Sequence, residues 1–411
     1  MTKDEVAELL GHKVIADLFR ESGYAPLVGQ TPTSIMLQFS NTTYSVGEGA
    51  GKATITVTRA GDPTPAVKVG YATRPDQAFS KCDVIDNRAS ERCDYSTTVG
   101  TLRFAPGETS KTFVIPISDD AFVEGNEVVN LLLSNPTGGT FGAAGTALLT
   151  IIDNDSTPPT SSNNPFNSNA FFVRQQYLDF LNREPDGPGF ADWQNVLNGC
   201  GPAQGGLGSP ATCDRAHVSS GFYRSPEFTD RGYFIYRFYE AALGRLPRYA
   251  EFVPDMASIS GFQSVAENEA SKAEFITGFM ARQEFADKYS MLTNAAQAAA
   301  FIQKLEQTAG VSMAEPQRSE MITAMQTGQR SAGETLRAFV ETKAVFDRFF
   351  FRGFVAMQYF GYLRRDPDDA GYDDWVDVMI NGRGTVPPSD HRHMIFGFIY
   401  SAEYRERFGA R

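Results

Sequence analysis

Four acidic side chains fall within the short run Ile117-Ser118-Asp119-Asp120-Ala121-Phe122-Val123-Glu124-Gly125-Asn126-Glu127. An alternating segment with Thr112, Val114 and Pro116 precedes it and Val128 to Leu133 follows, so the pattern predicts a turn between two strands. Carboxylates crowded into one turn repel one another. Two reliefs are open to them: raised pKa values, or a hard cation such as Ca2+, which takes roughly six to eight oxygen ligands. Other reactive groups are sparse. The histidines are His12, His217, His391 and His393, with no His-Glu-x-x-His, and there is no Gly-x-Ser-x-Gly. Zinc-protease and hydrolase readings therefore lack their minimum parts, and no enzyme activity is expected. His391-Arg392-His393 follows Pro387-Pro388-Ser389, which reads as a helix start, where positions i and i+2 point apart. Asp366 to Asp377 has the outline of a calcium loop, but Ala370 stands fifth, and helix capping accounts for the acids better.

The cysteines form two close pairs, Cys82 with Cys93 and Cys200 with Cys213, each across a polar loop. Neither has the CxxC spacing of a zinc site, and disulfides are the expected state. Bridges imply an oxidising compartment, extracellular or periplasmic. The start of the chain does not look like a secretory signal: Asp4 and Glu5 come early and no apolar core follows. Residues 1–33 read as a short amphipathic helix, with Thr2 and Glu5 as a capping box, and a linker; the expectation is a fragment or a misplaced start.

Seven segments carry strand signals: Ile35 to Phe39, Lys52 to Arg59, Ala66 to Ala72, Gly100 to Phe104, Ser110 to Ile117, Glu127 to Leu133 and Thr146 to Ile152. Gly61-Asp62, Pro106-Gly107 and Pro136-Thr137-Gly138-Gly139 supply turns, and short strands at this spacing predict an immunoglobulin-like β sandwich over 34–155. Residues 156–167, rich in Ser, Thr, Pro and Asn, read as a linker. Beyond it the apolar period becomes helical, as in Phe171, Phe172, Tyr177, Leu178 and Leu181, so 168–411 should be an all-α bundle.

That bundle carries an internal repeat. Tyr177-Leu178-Asp179-Phe180-Leu181-Asn182-Arg183-Glu184-Pro185-Asp186, then Gly189 and Trp193, matches Tyr359-Phe360-Gly361-Tyr362-Leu363-Arg364-Arg365-Asp366-Pro367-Asp368, then Gly371 and Trp375. A reduced middle copy has Phe238-Tyr239, Leu243-Gly244-Arg245 and Pro247. The expected form is a helix with Arg in its last turn, a stop at Pro, a restart capped by Asp, and a Trp folded onto the aromatic stripe. A second signature, Gly-Phe followed by Glu and an aromatic, recurs at Gly221 to Phe228, Gly278 to Phe285 and Gly397 to Tyr404.

Length and charge bound the rest. The 411 residues exceed one typical core, and no run of eighteen apolar residues exists to span a membrane. A net charge of −12 argues against nucleic acid as a partner and favours cations or basic surfaces.

Several motifs in order then carry a resemblance: Tyr44-Ser45-Val46-Gly47-Glu48-Gly49, Ala53 to Arg59, Asp94-Tyr95, Gly100 to Glu108, Val123-Glu124-Gly125-Asn126-Glu127 and Ile151-Ile152-Asp153-Asn154-Asp155. Over about 35–155 the chain resembles the Calx-beta domain, in which carboxylates at one end of a sandwich hold Ca2+. Carried over by position, the resemblance implies ligands Glu48, Asp94, Asp119, Asp120 and Asp153, with Glu124 and Asp155 beside them. The chain departs from the family where Ser118 replaces a common acid and where the loop from Arg74 to Asp94, with its cysteine pair, is longer. The helical repeats over 168–409 resemble a domain of unknown function in bacterial surface-layer-associated and other secreted proteins, distantly similar to phycobilisome linkers. Together these imply a non-enzymatic extracellular or cell-surface protein with a protein, surface-layer or matrix partner. A fragment of a larger secreted hydrolase and an intracellular linker-like scaffold are the alternatives.

Overall fold

The computed structural model describes residues 34–74, 81–199, 213–261 and 264–410. The expected helix and linker of 1–33 lie outside these residues.

The N-terminal half is a two-sheet sandwich. Its strands are β1 (Met36–Phe39), β2 (Thr43–Gly47), β3 (Lys52–Ala60), β4 (Val67–Arg74), β5 (Val99–Phe104), β6 (Ser110–Pro116), β7 (Glu127–Thr137), β8 (Thr140–Phe141) and β9 (Thr146–Ile152). One sheet runs β6-β3-β1-β8 and the other β2-β9-β7-β4-β5. Strict alternation builds the core: Ala53, Ile55 and Val57 point in from β3, and Val129, Leu131 and Leu133 from β7. All seven expected strands are present. Two further strands, β2 and β8, were not expected, and they pair in parallel with β9 and β1.

The C-terminal half is all helix around an aromatic core. Its repeat is visible in backbone geometry. Three helices end in one π-helical turn, Tyr177–Leu181, Tyr239–Leu243 and Tyr359–Leu363, followed by a left-handed residue, Asn182, Gly244 or Arg364. Asp186 and Asp368 then cap the next helices by accepting from Gly189 and Gly371, as expected. The expected dipole role of the arginine is replaced by another. Each one lies past the helix end and clamps the acid of the second signature: Arg183 Nε to Glu227 at 2.7 Å, Arg245 Nε to Glu284 at 2.8 Å and Arg365 Nε to Glu403 at 2.6 Å. Each guanidinium also covers the first tyrosine of its π turn, at 5.0, 5.4 and 5.4 Å from the ring centre of Tyr177, Tyr239 and Tyr359. Trp193 and Trp375 fold onto Phe222 and Phe398.

The segment 156–167 does not end as a free linker. Asn164 and Phe166 are buried, and the Asn164 amide donates to the carbonyls of Arg405 and Ala410. A buried amide needs such partners, and Phe166 stacks among Phe172, Tyr404 and Phe408. The two halves meet over polar contacts. Glu274 of the helical half pairs with Lys68 at 2.6 Å and Arg103 at 2.8 Å, and Asn182 donates to the Thr97 carbonyl.

Candidate metal centre

Four loops at one end of the sandwich carry the expected acids. Glu48 opens a 3-10 turn (Glu48–Ala50) between β2 and β3, and Asp94 sits in the loop before β5. Asp119, Asp120 and Glu124 lie between β6 and β7, and Asp153 and Asp155 follow β9.

Two carboxylate groups form, each with oxygens within 4.8 Å of one another: Glu48 with Asp153 and Asp155, and Asp94 with Glu124 and Glu127. Main-chain N–H groups hold the acids in place. Glu48 accepts from Asp120 at 3.0 Å, and one Asp153 oxygen accepts from Glu124 at 3.0 Å and Gly125 at 2.7 Å. The other Asp153 oxygen takes Asp155 N–H at 2.7 Å, and Asp94 takes Ser90 N–H. Asp120 accepts from Phe122 N–H, which leaves its second oxygen turned inward. Asp119 belongs to neither group and accepts from the Asn154 amide at 2.9 Å. Five of the seven residues implied by the resemblance thus join the two groups, Asp120 borders them, and Asp119 stands aside.

Glu127, counted in the acidic run, is not among the ligands that the resemblance implies, yet it completes the second group. It is the first residue of β7, with the same inward parity as Val129 and Leu131, and it is 5% exposed. An acid on the apolar parity of a strand was the available signal.

Electrostatically the centre is short of positive charge. Burial, then the charges of Asp119, Asp94 and Asp155, push Glu48 up to about 8, against the opposing Asp120 N–H. Burial also raises Asp120, helped by Glu124 and Glu48, and raises Glu124, helped by Asp94 and Glu48. Asp94 and Glu127 are both raised, mainly by burial, and the charge of Asp94 adds to the rise of Glu127. Asp94 Oδ1, Asp120 Oδ2 and Asp155 Oδ2 are buried with no hydrogen-bond partner. Buried acceptors are normally satisfied, so three such oxygens beside converging carboxylates fit a hard, oxygen-seeking cation.

Cys82 is bonded to Cys93, with Cα atoms 5.7 Å apart, and this bridge staples the long loop at the residue before Asp94. Cys213 is also disulfide-bonded; its expected partner Cys200 lies outside the described residues. His391 begins a helix (His391–Ile399), and His393 Nδ1 lies 2.6 Å from Asp390, the residue that caps it. Asp366 accepts from Tyr249 N–H and Asp368 is a cap, so neither region adds a metal group.

The sandwich, the carboxylate end and the closing Asp-Asn-Asp together match one family model. Residues 32–155 match the Calx-beta domain. Among solved structures, the apo-form Calx CBD1 domain is 28% identical, covering 30% of this chain and 99% of that one with a TM-score of 0.26. The calcium-binding domain CBD12 of CALX1.1 is 27% identical over 29% of this chain and 44% of that one, with a TM-score of 0.25. A two-domain protein of unknown function from Bacteroides fragilis is 12% identical over 40% of this chain and 54% of its own, with a TM-score of 0.21. The Calx-beta match ends at residue 155, where the chain turns toward the helical half. No helix among the described residues is long and apolar enough to cross a membrane.

Proposed function

We propose that this is a non-enzymatic extracellular or cell-surface protein in which a calcium-binding Calx-beta module is joined to a helical interaction domain. The observation that carries the calcium reading is the set of buried, partnerless oxygens on Asp94, Asp120 and Asp155 amid two carboxylate groups. Glu48, Asp153, Asp155, Asp94, Glu124 and Glu127 would hold the ion. Bound Ca2+ would supply the positive charge that the centre lacks and replace the protons on its raised carboxyls. Ca2+ is favoured over Mg2+ because loops of mixed origin tolerate variable coordination, whereas Mg2+ demands near-ideal octahedral geometry. The Cys82–Cys93 bridge supports an oxidising compartment, where free calcium is plentiful enough for a weak site. For the helical domain, the resemblance of its repeats to surface-layer-associated domains supports an adhesion role toward a protein or matrix partner. Its repeat signatures are occupied by internal clamps such as Arg245 with Glu251 and Glu284, which are structural.

The test is a calcium titration followed by melting and calorimetry. At a free concentration tenfold above Kd, binding adds about 1.4 kcal/mol to stability. The melting point should rise with millimolar Ca2+, respond less to Mg2+, and fall back with chelator. Absence of both heat and melting shift up to about 10 mM, beyond the weak end of extracellular modules, would overturn the calcium reading.

A further inference from the structure

The loops that carry the carboxylates are held from outside the sandwich. Arg174, on the helix Asn169–Gln176, donates from one nitrogen to the carbonyls of Gly51 at 2.6 Å and Ile117 at 2.9 Å. Gly51 follows the turn of Glu48, and Ile117 precedes Asp119 and Asp120. Arg364, the left-handed residue of the third repeat, donates to the carbonyls of Glu91 and Tyr95 and to Ser96 Oγ. Arg407 Nε donates to the Arg92 carbonyl at 2.8 Å. These acceptors flank Asp94. The remaining acidic loop, 153–155, runs on covalently toward the helical half. The three held loops are also stitched to one another, since Ile117 N–H donates to Gly51 and Ser118 N–H to the Asp94 carbonyl.

We propose that the helical domain is a positive regulator of the calcium centre: when docked, it preorganises three carboxylate loops through Arg174, Arg364 and Arg407, and calcium in turn tightens the docking. The inference rests on the calcium reading above. Guanidinium groups near a cation site could instead oppose the ion, and their partners decide between the two effects. Arg174 is neutralised by Glu184 at 2.5 Å, and Arg364 and Arg407 both contact the fully buried Asp179, at 3.2 and 3.3 Å. Arg364 and Arg407 share that one carboxylate, and Arg364 acts on Asp94 through its charge, but the carboxylates of the centre far outnumber this excess, so the contribution common to the three arginines is directed hydrogen-bond donation to main chain. Loops held in their bound arrangement lose less freedom on binding, which strengthens it. Linkage then requires calcium to favour docking by the same factor.

The experiment compares calcium binding by calorimetry in the full chain and in Arg174→Gln, with hydrogen exchange of the full wild-type chain in calcium and in chelator. Arg174 is partly exposed, so its loss strands no deeply buried charge. The expected result is roughly tenfold weaker binding in the variant, within the usual range of coupling. In the wild type, calcium should also slow exchange around 174–182 and 361–364, which carry none of the carboxylate groups. Equal affinities, or calcium-independent exchange on the helical side while the wild type still binds calcium, would overturn the coupling and leave the calcium reading standing. Absence of binding by the wild type would overturn both. The exchange measurement needs no variant, so misfolding of Arg174→Gln cannot rescue the proposal.

Discussion

Alanine at three glycines that share one repeat position should give opposite outcomes. Gly221, Gly278 and Gly397 each begin the second signature, and each lies inside a helix, namely Arg215–Tyr223, Val265–Met280 and His391–Ile399. All three sit in the last turn, so the cost of glycine in a helix interior, about 0.5–1 kcal/mol relative to alanine, is the most that an unobstructed site should gain. At Gly278 an added methyl meets nothing within 4 Å, and at Gly397 it meets only Trp375 Cζ2 at an ordinary 3.9 Å. At Gly221 it overlaps the Trp193 ring, 2.8 Å from Cζ2. Trp193 also packs on Phe222, so its ring would have to give up that contact to make room. Overpacking costs about 1–3 kcal/mol, which outweighs the propensity gain. At about 2–4 °C per kcal/mol for a domain of this size, Gly278→Ala and Gly397→Ala should raise the melting point by up to about 4 °C, and Gly221→Ala should lower it. Calorimetric melting of the full chain in chelator reads this directly. A Gly221→Ala protein as stable as Gly278→Ala would refute the reasoning that Trp193 is fixed.

Three further outcomes are expected. Asp153→Asn should abolish the calcium-induced rise in melting point, because Asp153 joins the first carboxylate group, whereas Asp119→Asn should keep most of it. In chelator the sandwich should lose stability as pH rises from about 4.5 to 8. Glu48 is raised in the folded state, so its contribution is complete below its unfolded value and is lost as pH passes through its folded one; with calcium present the decline should vanish, as melts between pH 5 and 8 would reveal. Limited proteolysis should cut within the exposed run 156–163, yet the two fragments should co-elute on gel filtration, because Arg174, Arg364, Arg407 and Glu274 bridge the halves. Immediate separation would show those contacts to be weak.

What the sequence made legible follows from where the information is stored. The strands and the repeat lie in side-chain periodicity, so Ala53-Ile55-Val57 and the paired Tyr-to-Trp motifs announce themselves. β2 escaped because its residues alternate only between exposed and half-buried, and its partner β9 lies about a hundred positions away. The π turns escaped because widening a helix by one residue needs no special composition. Most acids of the centre came from motif matching, yet Glu127, in the acidic run and at the start of a strand, was left out of the ligand set. The arginine grip had no signature at all. Its acceptors are main-chain carbonyls, which every residue offers, so only the fold could select Gly51, Ile117, Glu91, Arg92 and Tyr95.

That grip also has a consequence in time. The bond from Arg407 to the Arg92 carbonyl joins positions 315 residues apart. At a synthesis rate of about 5–20 residues per second, the loop before Asp94 leaves the ribosome roughly 15–60 s before its partner exists. The nascent sandwich passes that interval with the Asp94 loop held by its own Cys82–Cys93 staple, while Arg174, only 57 positions after Ile117, can already grip the loop of Asp119 and Asp120. Arg364 and Arg407 are therefore the last grips to close.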